Sequence, residues 1–284
     1  MGRGSSSLSK KLSDLVIMSD IDGTLLDRNG HIPKRNMEAL KRFTAAGGRF
    51  AVATGRALNV ARPIVKALPV NFPCVIYNGG AIYNFEREEF LYEIFLPPEA
   101  GEYFTKIWQA FPDCGVILAN NDYLDLEGNA RKKHSWWLSR YPATALRTVA
   151  LSELYRQPAY KALLVLSERE CRRLQKYVSK HTANFAGVRF VFSDVTMFEM
   201  LPRGSSKGDA IERLTDIAKV ERENIVAIGD YHNDLEMLKV AGLSAAPADA
   251  HTDIKAAVDL IVGPCSDGAL ADLIEHLEER YCSQ

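Results

Sequence analysis

The feature that most constrains this chain is an unbroken apolar run, Leu15-Val16-Ile17-Met18-Ser19, that breaks into Asp20-Ile21-Asp22-Gly23-Thr24. Continuous apolar character over strand length marks a strand buried on both faces, as inside a parallel sheet covered by helices. The next sixty residues keep to the rhythm such a sheet needs. Pro33 opens a predicted helix whose Met37, Leu40 and Phe43 share a face, and Gly47 and Gly48 close it. A second strand over residues 50–53 ends in Thr54-Gly55-Arg56, a helix runs to about Leu68, and a third strand over 74–77 ends at Asn78-Gly79-Gly80. This β-α-β-α-β order predicts a parallel sheet with right-handed crossovers.

After Gly80 the texture changes. Residues 81–83 and 90–95 flank a charged turn and read as a hairpin. A helix over 98–111, strands near 116–119 and 123–126, and a basic, Trp-containing stretch over 131–137 come next. Strand 161–166, helix 168–180 and strands 188–193 and 197–200 complete the segment. The first rhythm resumes at Lys207, with helix 208–219 and strand 225–228, which ends in Gly229-Asp230-Tyr231-His232-Asn233-Asp234. A helix to Val240, strand 243–246, helix 252–258, strand 260–262 and helix 268–279 complete the chain. The expected fold class is α/β: a Rossmann-like parallel-sheet core domain (residues 12–80 and 200–284) carrying an inserted α+β domain (residues 81–199). Residues 1–11, rich in Gly, Ser and basic groups, read as a flexible leader; without an apolar middle they are not a secretory signal.

Composition narrows the partners. A formal net charge of −1 argues against nucleic acid and against a membrane surface, and no run approaches the ~18 apolar residues a membrane span needs. The five cysteines are scattered and contain no C-x-x-C pair, which disfavours a disulfide framework or a zinc site and fits a reducing cytoplasm.

In an open α/β sheet, ligands bind outside the carboxyl ends of the strands. Asp20/Asp22, Thr54/Arg56, Asn78 and Asp230/Asn233/Asp234 lie at or beside such ends, and Lys207 opens a helix next to the same edge. Asp20 and Asp22 are two apart, so in extended backbone their side chains point the same way. One carboxylate can then attack phosphorus, giving an aspartyl-phosphate, while the other protonates the departing oxygen and later deprotonates water. Gly23 permits the exit turn, and the Thr24 hydroxyl ties it down. Two carboxylates facing an anionic ester need cations. Asp230 adds a third, and hard oxygens without a clear His or Cys partner suit Mg2+. His232, inside the same loop, reads as a surface residue, because imidazole suits Mg2+ poorly. Lys207 offers a fixed positive charge at a helix N-terminus, or else is a solvated helix-start lysine. Thr54, with the Gly55 N–H, donates to phosphoryl oxygens, or its hydroxyl merely ties its own turn. Arg56 binds phosphate or pairs with a carboxylate of substrate or insertion.

Taken in order, Asp-x-Asp-Gly-Thr, Ala-Thr-Gly-Arg, Ser-Lys-Gly and Gly-Asp-x-x-Asn-Asp resemble the four motifs of the haloacid dehalogenase superfamily. Asn78-Gly79-Gly80, the late Ser266-Asp267-Gly268 and the large insertion are similar to its Cof-type sugar-phosphatase branch. The resemblance implies Asp20 as nucleophile, Asp22 as acid/base, and Thr54 and Lys207 as phosphate-stabilising groups, with Gly55, Arg56, Asn78 and Asn233 on the substrate side. It implies Mg2+ held by the Asp20 carboxylate, the Asp22 backbone carbonyl and Asp230, with Asn233 and Asp234 supporting the site. It also implies a small phosphorylated metabolite as substrate and a subclass IIB cap in the insertion. Within the insertion, Asn120, Asn121, Asp122, Tyr123, Arg131, Lys132, Lys133 and His134 are placed to reach a polyhydroxylated leaving group, or form a solvated face. Of the adjacent Trp136 and Trp137, one is expected in the core and the other against a sugar or the cap joint. Two rivals remain at this level: a phosphomutase on the same scaffold, and a catalytically retired phospho-ligand-binding protein.

Overall fold

The computed structural model describes residues 10–120, 124–127, 138, 146–150, 153 and 157–282. Its strands run in chain order β1 (Val16–Ser19), β2 (Arg49–Val52), β3 (Cys74–Ile76), β4 (Ala81–Asn84), β5 (Glu89–Glu93), β6 (Gly115–Ala119) and β7 (Leu124–Glu127). They continue as β8 (Leu146–Thr148), β9 (Lys161–Val165), β10 (Val188–Asp194), β11 (Met197–Pro202), β12 (Ile225–Ile228), β13 (Leu243–Pro247) and β14 (Leu260–Val262). The chain divides into two compact units. The first comprises Met1–Ala53, Val65–Cys74 and Glu212–Gln284, the second Thr54–Ile64 and Val75–Ile211.

The first unit carries a five-stranded sheet of order β14-β13-β12-β1-β2, every neighbouring pair parallel. β1 and β12 are buried along their whole length, which is why their sequences read as unbroken apolar runs. Their register sets Ser19 against Ile228, and the Asp20 N–H donates to the Ile228 carbonyl at 2.9 Å, carrying the ladder one residue past β1. Helix Lys34–Ala45 joins β1 to β2 and buries Ala39, Leu40 and Phe43 together with Asn36. The Asn36 carbonyl oxygen accepts from Ala271 N–H, so that buried amide holds the last helix, Ala269–Cys282. At the head of the unit the Lys10 ammonium donates to the Glu223 carbonyl.

The second unit is built on a six-stranded sheet, β10-β11-β9-β6-β7-β8, antiparallel except for the β7–β8 pair. Its central strands have a core on each face. Val116, Leu118, Ala162, Leu164, Phe198 and Met200 pack with helices Ala100–Ala110 and Glu168–Lys180. The alternate residues Ile117, Ala119, Leu163, Val165 and Met197 pack with Ala57, Val60, Ala61, Tyr77 and Ala81. Each fully buried Leu, Val or Phe contributes ~1.5–3 kcal/mol, so the period-2 split anchors the sheet from both sides.

Two elements differ from expectation. β3 does not extend the parallel sheet; it pairs in a separate sheet of order β3-β4-β5. The hairpin β4–β5 begins five residues after Ile76, and elements consecutive in the chain are usually neighbours in space, so β3 takes the local partner. Within the second unit, the Thr54 N–H donates to the Val75 carbonyl of β3 at 2.9 Å. β8 has no signal in the sequence: Leu146-Arg147-Thr148 is short and mostly polar, and Arg147 grips Asp125 of β7 through two hydrogen bonds of 2.7 Å. Among the described residues no helix is long and apolar enough to cross a membrane. Asn121, Asp122, Tyr123, Arg131, Lys132, Lys133, His134, Trp136 and Trp137 lie outside the described residues. Asn120 is described and buried.

Candidate functional site

In the first unit the acidic residues gather where β1 and β12 end. β1 stops at Ser19, its ladder runs on to Asp20, and residues 21–25 turn around an isolated bridge between Asp22 and Leu26. Asp20 is buried and Asp22 exposed. Gly23 makes the turn at φ +77°, and a Cβ there would sit 2.5 Å from Asp230 Oδ2, so only glycine lets the loop approach the end of β12 so closely. The Thr24 hydroxyl donates to Asp230 Oδ1 at 3.1 Å. Asp234, wholly buried, accepts from the Asp230 and Tyr231 N–H groups at 3.0 and 3.2 Å and so sets the backbone that carries Asp230. The carboxylates of Asp20, Asp230 and Asp234 offer oxygens all within 4.8 Å of one another. Asn233 is half-buried in the same loop. His232 lies beside His251, and burial, reinforced by that second imidazole, pushes its pKa below the ordinary histidine value.

Three carboxylates at this spacing repel one another unless protons or a cation intervene. The donor set is all oxygen, which fits a hard divalent ion such as Mg2+ better than a thiophilic or imidazole-seeking one. Asp234 already accepts two backbone hydrogen bonds, a supporting position, whereas Asp20 and Asp230 are the natural direct donors.

In the second unit Thr54, Gly55, Arg56 and Asn78 come together. Thr54 is buried, and its hydroxyl oxygen accepts from the Arg56 N–H at 3.1 Å, which leaves its own proton to donate. Its carbonyl accepts from the Asn78 N–H at 3.0 Å. A Cβ on Gly55 would sit 2.8 Å from Asn78 Oδ1, so the Asn78 amide lies directly on the Thr54–Gly55 turn. Tyr77 and Asn78 hold left-handed backbone (φ 55° and 57°), an uncommon conformation that asparagine tolerates better than most. Lys207 is wholly buried at the start of helix Lys207–Ala218, which Ser206 caps by accepting from the Asp209 N–H at 2.9 Å. An ammonium that deep in a folded chain is not a solvated surface lysine.

Sequence reasoning missed Lys161 and Glu199. The Asn78 amide nitrogen donates to Glu199 Oε2 at 2.8 Å, and Lys161 Nζ donates to the same oxygen at 2.8 Å. The signal was a single charge in each of two apolar strands, Lys161-Ala162-Leu163-Leu164 and Met197-Phe198-Glu199-Met200. Cysteine chemistry is remote: burial pushes the Cys74 thiol up to about 12, and burial with an Asp249 hydrogen bond pushes Cys265 up to about 11.

Residues 17–274 match the haloacid dehalogenase-like hydrolase family, almost the full length of the chain. The chain belongs to that family. Its relatives include pyridoxal phosphate phosphatase YbhA of Escherichia coli (strain K12), 25% identical over 264 residues that span 91% of this chain and 97% of the relative. HMP-PP phosphatase of Yersinia enterocolitica is 27% identical over 266 residues, covering 90% and 93%. A haloacid dehalogenase-like hydrolase from Bacteroides thetaiotaomicron superposes with a TM-score of 0.80 at 25% identity, covering 93% of this chain and 99% of that one. A subclass IIB sugar phosphatase of the superfamily shares the fold at a TM-score of 0.80 and 20% identity, covering 92% and 98%. These relatives are phosphatases by name, and this haloacid dehalogenase-like hydrolase is an enzyme, a phosphoric monoester hydrolase.

Proposed function

We propose that this hydrolase is a Mg2+-dependent, cytoplasmic phosphatase of small phosphate monoesters, sugar phosphates foremost, working through an aspartyl-phosphate on Asp20. The observation that carries the reading is the convergence of Asp20, Asp230 and Asp234 within 4.8 Å where two parallel strands end. Asp20 and Asp230, with the Asp22 backbone carbonyl, would hold the ion, and Asp234 and Asn233 keep that loop in shape. Bound there, Mg2+ offsets the repulsion between the carboxylates and an anionic ester.

The protein's own groups then act in two displacements. A carboxylate oxygen of Asp20 forms a bond to phosphorus as the ester oxygen leaves, taking a proton from Asp22. Water, losing a proton to Asp22, next attacks the same phosphorus and releases inorganic phosphate, which restores the Asp20 carboxylate. Exposure of Asp22 suits a group that trades protons with leaving group and water. The Thr54 hydroxyl, the Gly55 N–H and the Lys207 ammonium stabilise the transferring phosphoryl oxygens, and Arg56 and Asn78 orient the ester. Motif order carries those last assignments. Residues 81–199 serve as the substrate-selecting cap of a core formed by 12–80 and 200–284, and the relatives that act on pyridoxal phosphate and HMP-PP fit a small phosphorylated metabolite as substrate.

Turnover of a panel of phosphate monoesters with Mg2+ tests the reading. Asp20→Asn should fold yet lose turnover by on the order of a thousandfold, because a neutral amide is a poor nucleophile. Retention of more than roughly a tenth of wild-type turnover refutes the nucleophile assignment.

A further inference from the structure

The first unit carries a second group of converging donors that the phosphatase reading does not use. We propose that His232, His251 and Asp253 form a separate metal site that takes one borderline divalent transition ion of the Zn2+ or Co2+ class. Each side chain offers a ligand atom, and these atoms lie within 4.8 Å of one another. His251 Nδ1 and Asp253 Oδ2 are 3.6 Å apart, close to the ~3.4 Å edge of a tetrahedron of ligands ~2.1 Å from a central ion. The two imidazole rings are 4.3 Å apart between centroids and inclined at 55°, so they are not stacked flat and small χ rotations bring a nitrogen of each toward a common point.

The backbone holds these donors in register although His232 and His251 are far apart in sequence. The His251 N–H donates to the Asp230 carbonyl at 3.0 Å, which pins the loop carrying His232 to the segment carrying His251 and Asp253. Tyr231 walls both imidazoles, with ring centroids 4.9 Å from His232 and 5.6 Å from His251. His251 Nδ1 accepts a 3.2 Å hydrogen bond from the Asp253 N–H, near the long limit for such bonds. A metal at Nδ1 replaces that contact, while the His251 carbonyl still accepts from Ile254 and Lys255 N–H groups at 3.0 Å and keeps the turn capped. Both histidines are half-buried and Asp253 is exposed, which leaves an open side for entry and for water as the remaining ligand.

The chemistry separates this site from the acidic cluster. Two imidazoles and one carboxylate suit Zn2+, Co2+ or Ni2+, whereas the all-oxygen set around Asp20 suits Mg2+.

The test is a Co2+ titration of the full-length protein in excess Mg2+, reading the visible absorption of imidazole-ligated Co2+ and its displacement by Zn2+. One equivalent should bind, and His251→Ala should weaken binding by more than the ~10–100-fold that loss of an outer-shell partner brings. His232→Ala serves as the second variant should far-UV circular dichroism show His251→Ala unfolded. Asp230→Asn should keep the signal. Absence of a one-equivalent signal in the wild-type protein overturns the site. So does a signal that survives both histidine variants, or one that disappears only with Asp230→Asn and thereby belongs to the acidic cluster.

Discussion

Lys161 and Glu199 form an ion pair with almost no access to water, 5% and 2% exposed, at 2.8 Å. Breaking such a pair strands a charge in a low-dielectric interior and costs ~3–5 kcal/mol, whereas replacing both partners by apolar groups of similar size is close to neutral. Glu199→Leu removes the acceptor of Lys161 and of the Asn78 amide together, so its cost should reach the top of that range, with about 1 kcal/mol more for the unmade Asn78 bond. Lys161→Met leaves Glu199 its Asn78 donor and should fall near ~3 kcal/mol. The double variant should recover most of the loss, retaining only the ~1–3 kcal/mol of a buried amide without its acceptor. Urea unfolding followed by tryptophan fluorescence, with each transition of this two-unit chain fitted separately, measures the four corners of the cycle. The double should nevertheless turn over slowly, because Asn78 rests on the Thr54–Gly55 turn and has lost its anchor. Single costs under ~1 kcal/mol, or a double cost equal to the sum of the singles, refute the idea that the pair is a desolvated unit.

Asp230→Ala should need far more Mg2+ for half-maximal turnover than Asn233→Ala, and Ca2+ should not replace Mg2+, since its looser shell misplaces the phosphoryl group; full activity in excess chelator defeats both statements. Gly23→Ala places a Cβ 2.5 Å from Asp230 Oδ2 in left-handed backbone, so it should lose ~1–2 kcal/mol and raise the Mg2+ requirement; an unchanged metal titration counts against it. Asp22→Asn should slow esters with poor leaving groups more than activated aryl phosphates, and equal losses make Asp22 positional. Hydrogen bonds from the Ser244 hydroxyl and N–H hold Asp259 below the usual carboxylate range. That stability is present above the unfolded carboxylate pKa of ~3.9 and vanishes as pH falls through the depressed folded value, so the deficit of Ser244→Ala should shrink between pH ~7 and pH ~3; a constant difference in Tm refutes the linkage.

What the sequence made legible was local or periodic. β1 and β12 were readable because a strand buried on both faces must be apolar at every position, and helix Glu168–Lys180 because Cys171, Leu174 and Val178 recur at helical spacing on its buried face. The acidic cluster was readable as residues, since Asp20 and Asp230 each come just after such a strand, but their environments were not. Setting Asp20 and Asp22 on one side requires extended backbone, and the chain turns just after Asp20, with Asp20 buried and Asp22 exposed. The partners of buried charges were harder still. Lys161 and Glu199 are 38 residues apart, and nothing in either strand says which face its charge takes or that Asn78 meets it. His251 shows the same limit: its link to His232 runs through a backbone bond to Asp230, and backbone bonds carry no side-chain signature. A local pattern therefore identifies which residues an element can bury, while the pairing that makes a buried charge tolerable is decided by register between strands. That is why the ion pair under Asn78, rather than the acidic motifs themselves, is where a substitution tests the folded structure most directly.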